Sequence, residues 1–128
     1  ALMSEPYDFT VKEFNIIAEY AKEVLGNLKD APYPYKPNPL KLVELWGQYY
    51  KKGAYQISHY HVHSDWAFVY YVNTPKGSSP LVFDKSNKEV YSKAGEVVIF
   101  PGWLVHHVPE NKGEGRSVIS GNLSYDVC

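Results

Sequence analysis

The chain has 128 residues, with 13 lysines and arginines against 14 aspartates and glutamates, a formal net charge of -1. That balance leaves no basic footprint for nucleic acid or an anionic membrane surface, and the length suits one domain that buries its own core without disulfide staples. No apolar run is long enough to cross a bilayer, no basic-then-apolar leader opens the chain, and a single cysteine, Cys128, cannot form an internal bridge, so a cytoplasmic protein is expected.

Residues 1 to 9 carry no pattern, as a disordered lead-in would. Thr10 followed by Glu13 reads as a capping box, and Phe14, Ile17, Ala21 and Val24 then form an apolar stripe at helical spacing that Gly26 closes. Such a helix packs against the outside of a sheet. Residues 31 to 39 hold four prolines, which forbid helix and central strand alike, so an extended arm follows. The expected organisation is a helix and arm over 1–39 and a barrel domain over 40–128.

From Leu40 the pattern changes to short strands divided by turn signals, and twelve tyrosines and three tryptophans suit half-buried sheet faces. Strands are predicted over 41–50, 54–62, 66–73, 80–84, 88–92, 96–100, 104–108 and 116–125. Eight strands at this spacing predict an all-β jelly roll or closed barrel.

All five histidines fall in two places: His59, His61 and His63, then His106 and His107. In a strand over 54–62 the odd-numbered side chains share one face, and Tyr55 and Ile57 argue that this face is the interior. Burying imidazoles there without partners would cost about one to three kcal/mol for each unsatisfied polar group. A shared metal removes that cost. His59 and His61, at i and i+2, can converge on one ion, and a neighbouring strand must supply the third ligand. His106 is the choice over His107, because it shares its face with Leu104 and Val108. Asp65 continues the odd-numbered face and is a fourth candidate, while His63 reads as a partly exposed neighbour at the strand end. Arg116 enters the last strand with Val118, Ser120 and Asn122 on its own face, placed to clamp a carboxylate inside the barrel, and Tyr71 could add a hydrogen bond.

These residues carry a resemblance. Lys52-Gly53, His59-Tyr-His61, Val69-Tyr-Tyr-Val72 and Pro75, then Gly95, Phe100-Pro101, Trp103-Leu104 and His106-x-Val108, then Arg116, Ser120 and Asn122 resemble the pattern of small Fe(II)/2-oxoglutarate-dependent oxygenases of bacterial and phage type. That resemblance implies a double-stranded β-helix and a hydroxylase activity. It implies Fe(II) held by His59, His61 and His106, and 2-oxoglutarate anchored through its distal carboxylate by Arg116. The sequence departs from the pattern by placing histidine, not aspartate, at position 61. Gly53-x5-His59-x-His61-x3-Asp65 and Gly95-x5-Pro101 with His106 are also similar to the two cupin motifs, which share the barrel. They imply instead a metalloprotein that is a dioxygenase or isomerase without 2-oxoglutarate, its site made of three histidines and Asp65. A non-enzymatic barrel that binds a small molecule or a protein is the third alternative. The expected partner is a small-molecule or peptide substrate, and a homodimer is the expected assembly.

Overall fold

The computed structural model describes Leu2, Met3 and residues 12–26 and 40–125. Thr10 of the capping box, the proline arm over 31–39 and Cys128 lie outside the described residues. The elements are β1 (Leu2–Met3), α1 (Lys12–Gly26), β2 (Leu40–Tyr50), β3 (Gln56–His59), β4 (Trp66–Asn73), β5 (Leu81–Phe83), β6 (Lys88–Val90), β7 (Val97–Pro101), β8 (His106–Val108) and β9 (Arg116–Tyr125). Each of the eight strands expected from Leu40 onward is present. The second of these, expected over 54–62, spans only Gln56–His59, and Leu2–Met3, in a stretch that carried no pattern, pairs with Tyr49 and Gln48 at the start of a sheet.

Two antiparallel sheets, β1-β2-β9-β4-β7 and β3-β8-β5-β6, face each other. β4 is apolar on both faces because both faces are covered: Ala67, Val69 and Tyr71 point between the sheets with Phe100, Val108 and Val118, while Trp66 and Phe68 point outward to α1. The helix answers with Ala21 and Leu25 and leaves Ile16 and Tyr20 exposed, so it lies on the outside of the larger sheet as its stripe requires. Gly121 on β9 has no side chain because the Phe68 ring occupies that space. Two packed sheets with this topology and a covering helix make an all-β double-stranded β-helix. Among the described residues no helix is long and apolar enough to cross a membrane.

Trp46, Gln48 and Tyr50 of β2 and Arg116, Val118 and Ser120 of β9 line one interior. The facing pairs Glu44 and Asn122, Trp46 and Ser120, Gln48 and Val118, and Tyr50 and Arg116 form successive rungs. Asn111, fully buried, closes the Arg116 end: its Nδ2 donates to Tyr50 O and Gly113 O at 2.9 and 3.0 Å, and its Oδ1 accepts from Ser79 N at 3.1 Å.

Candidate metal centre

The strand that carries the first histidine is not a simple alternating one. β3 pairs with β8 at Gln56 to Val108 and at His59 to His106, with a register shift between them, so three steps on β3 match two on β8. That is a β-bulge, which re-aims a side chain. Gln56 and His59 both line the interior as a result, whereas Tyr55 and Ile57 are 58% and 68% exposed. The expectation that Tyr55 and Ile57 face inward is therefore corrected, and His59 turns inward because of the bulge.

β3 ends at His59, and His61 reaches the same site from a turn. His61 N donates to Gly102 O at 2.8 Å, Gly102 N donates to Asp65 O at 3.1 Å, and His63 takes a left-handed φ of 65°. Gly102 is required here, since a Cβ on it would fall on the Ser64 carbonyl and crowd His61 O. The turn also explains Asp65. Alternation stops at His59, the chain reverses, and the Asp65 carboxylate accepts from Tyr125 N at 2.8 Å, outside the histidine group. Asp65 is not brought to the three histidines, as it would have been on an unbroken strand, and His63 is exposed.

His59, His61 and His106 offer ring nitrogens that all lie within 4.8 Å of one another. His106 is 3% exposed and packs against the Phe100 ring at 4.7 Å; His61 stacks between Trp46 at 5.8 Å and His106 at 5.1 Å. Each imidazole is oriented through its other nitrogen. His59 Nδ1 is 2.9 Å from Ile57 O, His106 Nδ1 is 2.8 Å from Leu104 O, and His61 Nδ1 meets Asn122 Oδ1. A carbonyl oxygen only accepts, so Nδ1 carries the proton in all three rings and Nε2 presents its lone pair. His61 Nε2 and His106 Nε2 are 3.3 Å apart. Burial pushes the His106 pKa down to about 4 and lowers that of His61 too, so neither ring takes up a proton at neutral pH to relieve the contact. Converging lone pairs with fixed tautomers fit a divalent transition metal, and the carbonyl partners are the outer shell that such ligands use.

The other expected site residues lie deeper. Arg116 is 1% exposed; its Nε donates to Ser79 O at 3.1 Å, and its guanidinium carbon sits 4.6 Å from the Tyr50 ring centre and 5.4 Å from that of Tyr71. Arg116 Nη1 and the Tyr71 hydroxyl are buried without a hydrogen-bond partner. Burial raises the pKa of Tyr71 and outweighs the lowering effects of the Arg116 cation and the nearby Ser92 hydroxyl, so the hydroxyl keeps its proton. Among the described residues no carboxylate pairs with Arg116. Ser120 donates to Gln48 Oε1 at 2.9 Å, and Asn122, expected beside Arg116, is committed to His61. Sequence reasoning missed the Asn122 role because a turn, not strand alternation, carries His61 to it across 61 residues of chain.

One cavity of about 20 Å³ touches Trp46, His59, His61, His106, Arg116 and Ser120, so the histidines and the arginine share an interior. As it stands it holds about one water. A larger surface cleft of about 560 Å³ lies elsewhere, between residues 74–80, 89–93 and 109–112. It contains none of the three histidines, and the convergence of ligand atoms, not size, identifies the candidate site. His107 lies on the other face of β8, 2.6 Å from Asp84 Oδ1. The Ser58 hydroxyl and His107 hold the Asp84 carboxyl below its ordinary pKa.

No protein-family model matches the chain, and no curated protein matches it. Solved structures do. The chain is similar to the viral collagen prolyl hydroxylase of Paramecium bursaria Chlorella virus-1 in complex with 2OG (TM-score 0.70, 14% identity, 94% of this chain and 76% of that one). It is also similar to a 2OG-Fe(II) oxygenase family oxidoreductase from Burkholderia pseudomallei (TM-score 0.64, 12% identity, 82% of this chain), of whose length it spans 58%. A cupin superfamily protein from Desulfitobacterium hafniense matches with a TM-score of 0.51 at 10% identity, over 72% of this chain and 84% of that one. At these identities the likeness is one of fold, shared by oxygenases and cupins alike.

Proposed function

We propose that this protein is an Fe(II)- and 2-oxoglutarate-dependent oxygenase that hydroxylates a small-molecule or peptide substrate. The observation that carries the reading is Arg116: a guanidinium 1% exposed, with Nη1 unpaired and no carboxylate partner among the described residues, lining the cavity that the three histidines line. Ser79 O and the Tyr50 and Tyr71 rings compensate the buried cation only in part, and an entering carboxylate would supply the missing counter-charge. His59, His61 and His106 would hold the metal. When bound, iron and 2-oxoglutarate supply the oxidising chemistry, in which oxygen converts 2-oxoglutarate to succinate and carbon dioxide as a substrate C–H bond is hydroxylated.

The chain's own residues have separable tasks. Ile57 O, Leu104 O and Asn122 Oδ1 fix which imidazole nitrogen is free. Arg116 Nη1 and the Tyr71 hydroxyl offer hydrogen bonds at the inner end, and the Tyr50 and Tyr71 rings keep water from the cation. Phe83 and Phe100 dry the back of His106. Room for a dicarboxylate must come from the lining, and the 3.4 Å amide contact between Gln48 and Gln56 is the weakest link across it. Purified, iron-loaded protein should release succinate from 2-oxoglutarate slowly even without substrate, and Arg116→Ala should not.

The donor set favours one rival. Three neutral imidazoles depart from the two-histidine, one-carboxylate set of the 2-oxoglutarate enzymes and keep the three histidines, though not the Asp65, of the cupin-type dioxygenase or isomerase expected as the alternative. Iron uptake with no succinate formed from 2-oxoglutarate would select that rival.

A further inference from the structure

Behind the histidines, on the outer face of the smaller sheet, one carboxylate joins two side chains that neighbour the ligands. Asp84 Oδ2 accepts from Ser58 Oγ, and Asp84 Oδ1 accepts from His107 Nδ1. Ser58 precedes His59 on β3, and His107 follows His106 on β8. Asp84 itself is fixed by its N–H, which donates to Val105 O at 3.0 Å, one residue before β8. The carboxylate therefore spans the two strands that carry His59 and His106, on the side away from the metal centre.

The strand it holds needs holding. β3 is four residues long, lies at the edge of its sheet, and keeps two registered pairs with β8 on either side of the bulge. An edge strand with so short a ladder has little else to set where His59 points. We propose that Asp84 is a positioning residue for the metal centre, clamping Ser58 to His107 and so fixing the separation of His59 from His106. The proposal rests on the metal half of the reading above and needs nothing of 2-oxoglutarate. Because the Asp84 and His107 side chains are about one-third exposed, the clamp adds little to global stability; it sets geometry.

The test uses Co(II) as the probe, with its visible ligand-field band and its dissociation constant against a competing chelator. Asp84→Ala should bind Co(II) about ten- to a hundredfold more weakly, the range typical of outer-shell partners of metal ligands, with an altered band. The thermal midpoint of its metal-free form should stay near the parent's. Adding Asp84→Ala to a Ser58→Ala/His107→Ala protein should cost nothing further, since all three act as one unit. Parent-like Co(II) affinity and band in folded Asp84→Ala would overturn the proposal, as would a fall in metal-free stability large enough to account for the lost affinity. Should Asp84→Ala not fold, the single variants Ser58→Ala and His107→Ala each remove one arm: weaker Co(II) binding in both is expected, and parent-like binding in both overturns the clamp. A parent protein that takes up no Co(II) overturns the metal reading and the clamp with it, whereas binding by the parent with no effect of the variants overturns the clamp alone.

Discussion

His61 Nε2 faces His106 Nε2 across 3.3 Å, and neither nitrogen carries a proton, because the opposite nitrogen of each ring is turned to a carbonyl oxygen. Two lone pairs at that separation repel, and a shared cation turns the contact into attraction. Added Fe(II) or Co(II) should therefore raise the unfolding midpoint, by the equivalent of about 2.7 kcal/mol at a hundredfold excess over Kd. His106→Ala should abolish the rise. Thermal denaturation with and without metal decides it, and an unmoved midpoint in the parent contradicts the site.

Asn122 acts through His61. Asn122→Leu removes the acceptor that fixes the His61 tautomer, and metal affinity should fall about 10–100-fold, as for other outer-shell partners. Asn122→Asp keeps an acceptor in place and should retain tight binding. Chelator competition separates the two variants, and equal affinity in both would detach Asn122 from the metal centre.

Acid should destabilise the metal-free protein through His106. Burial, the largest cause, holds its folded pKa at about 4 against an ordinary 6.5, and the His61 pKa is lowered in the same sense. The unfolded chain then protonates first. This contribution is complete above pH 6.5, declines as pH falls from 6.5 towards 4, and changes no further below that. The limiting slope is about 1.4 kcal/mol per pH unit for each such group. Urea midpoints across pH 4 to 7 test it, and His106→Gln should flatten the profile.

Gly102 couples the turn of His61 to the end of β7. A methyl group there meets the Ser64 carbonyl and crowds His61 O, both backbone atoms, so the turn itself must move. Gly102→Ala should cost about 1–3 kcal/mol by overpacking and weaken metal binding in addition. Metal affinity measured on the folded fraction would show whether His61 has shifted, and parent-like affinity would uncouple the turn from the site.

The strands from Leu40 onward were legible because short runs without helical periodicity fall between turn signals, and α1 was legible because of its apolar stripe at helical spacing. His59, His61 and His106 were legible as a set, since an inward histidine triplet needs a ligand to offset its burial. What spacing alone cannot show is a bulge. The register shift between Gln56 and His59 exposes Tyr55 and Ile57, and the reversal through His63 takes Asp65 out of the series. Arg116 and Tyr71 come close because β9 and β4 pair; Asn122 reaches His61, and Asp84 reaches Ser58 and His107, across strands distant in sequence. Those are tertiary facts, and no local pattern carries them.

On the proposed reading, Arg116 receives a carboxylate of 2-oxoglutarate in a barrel that holds iron through His59, His61 and His106. An anaerobic titration of the Fe(II)-loaded protein with 2-oxoglutarate, followed by the visible metal-to-ligand charge-transfer band that chelation produces, tests it most directly. The parent protein should give a saturable band and Arg116→Ala none, although the variant should still bind iron. Iron bound by the parent with no band at any 2-oxoglutarate concentration would contradict that reading.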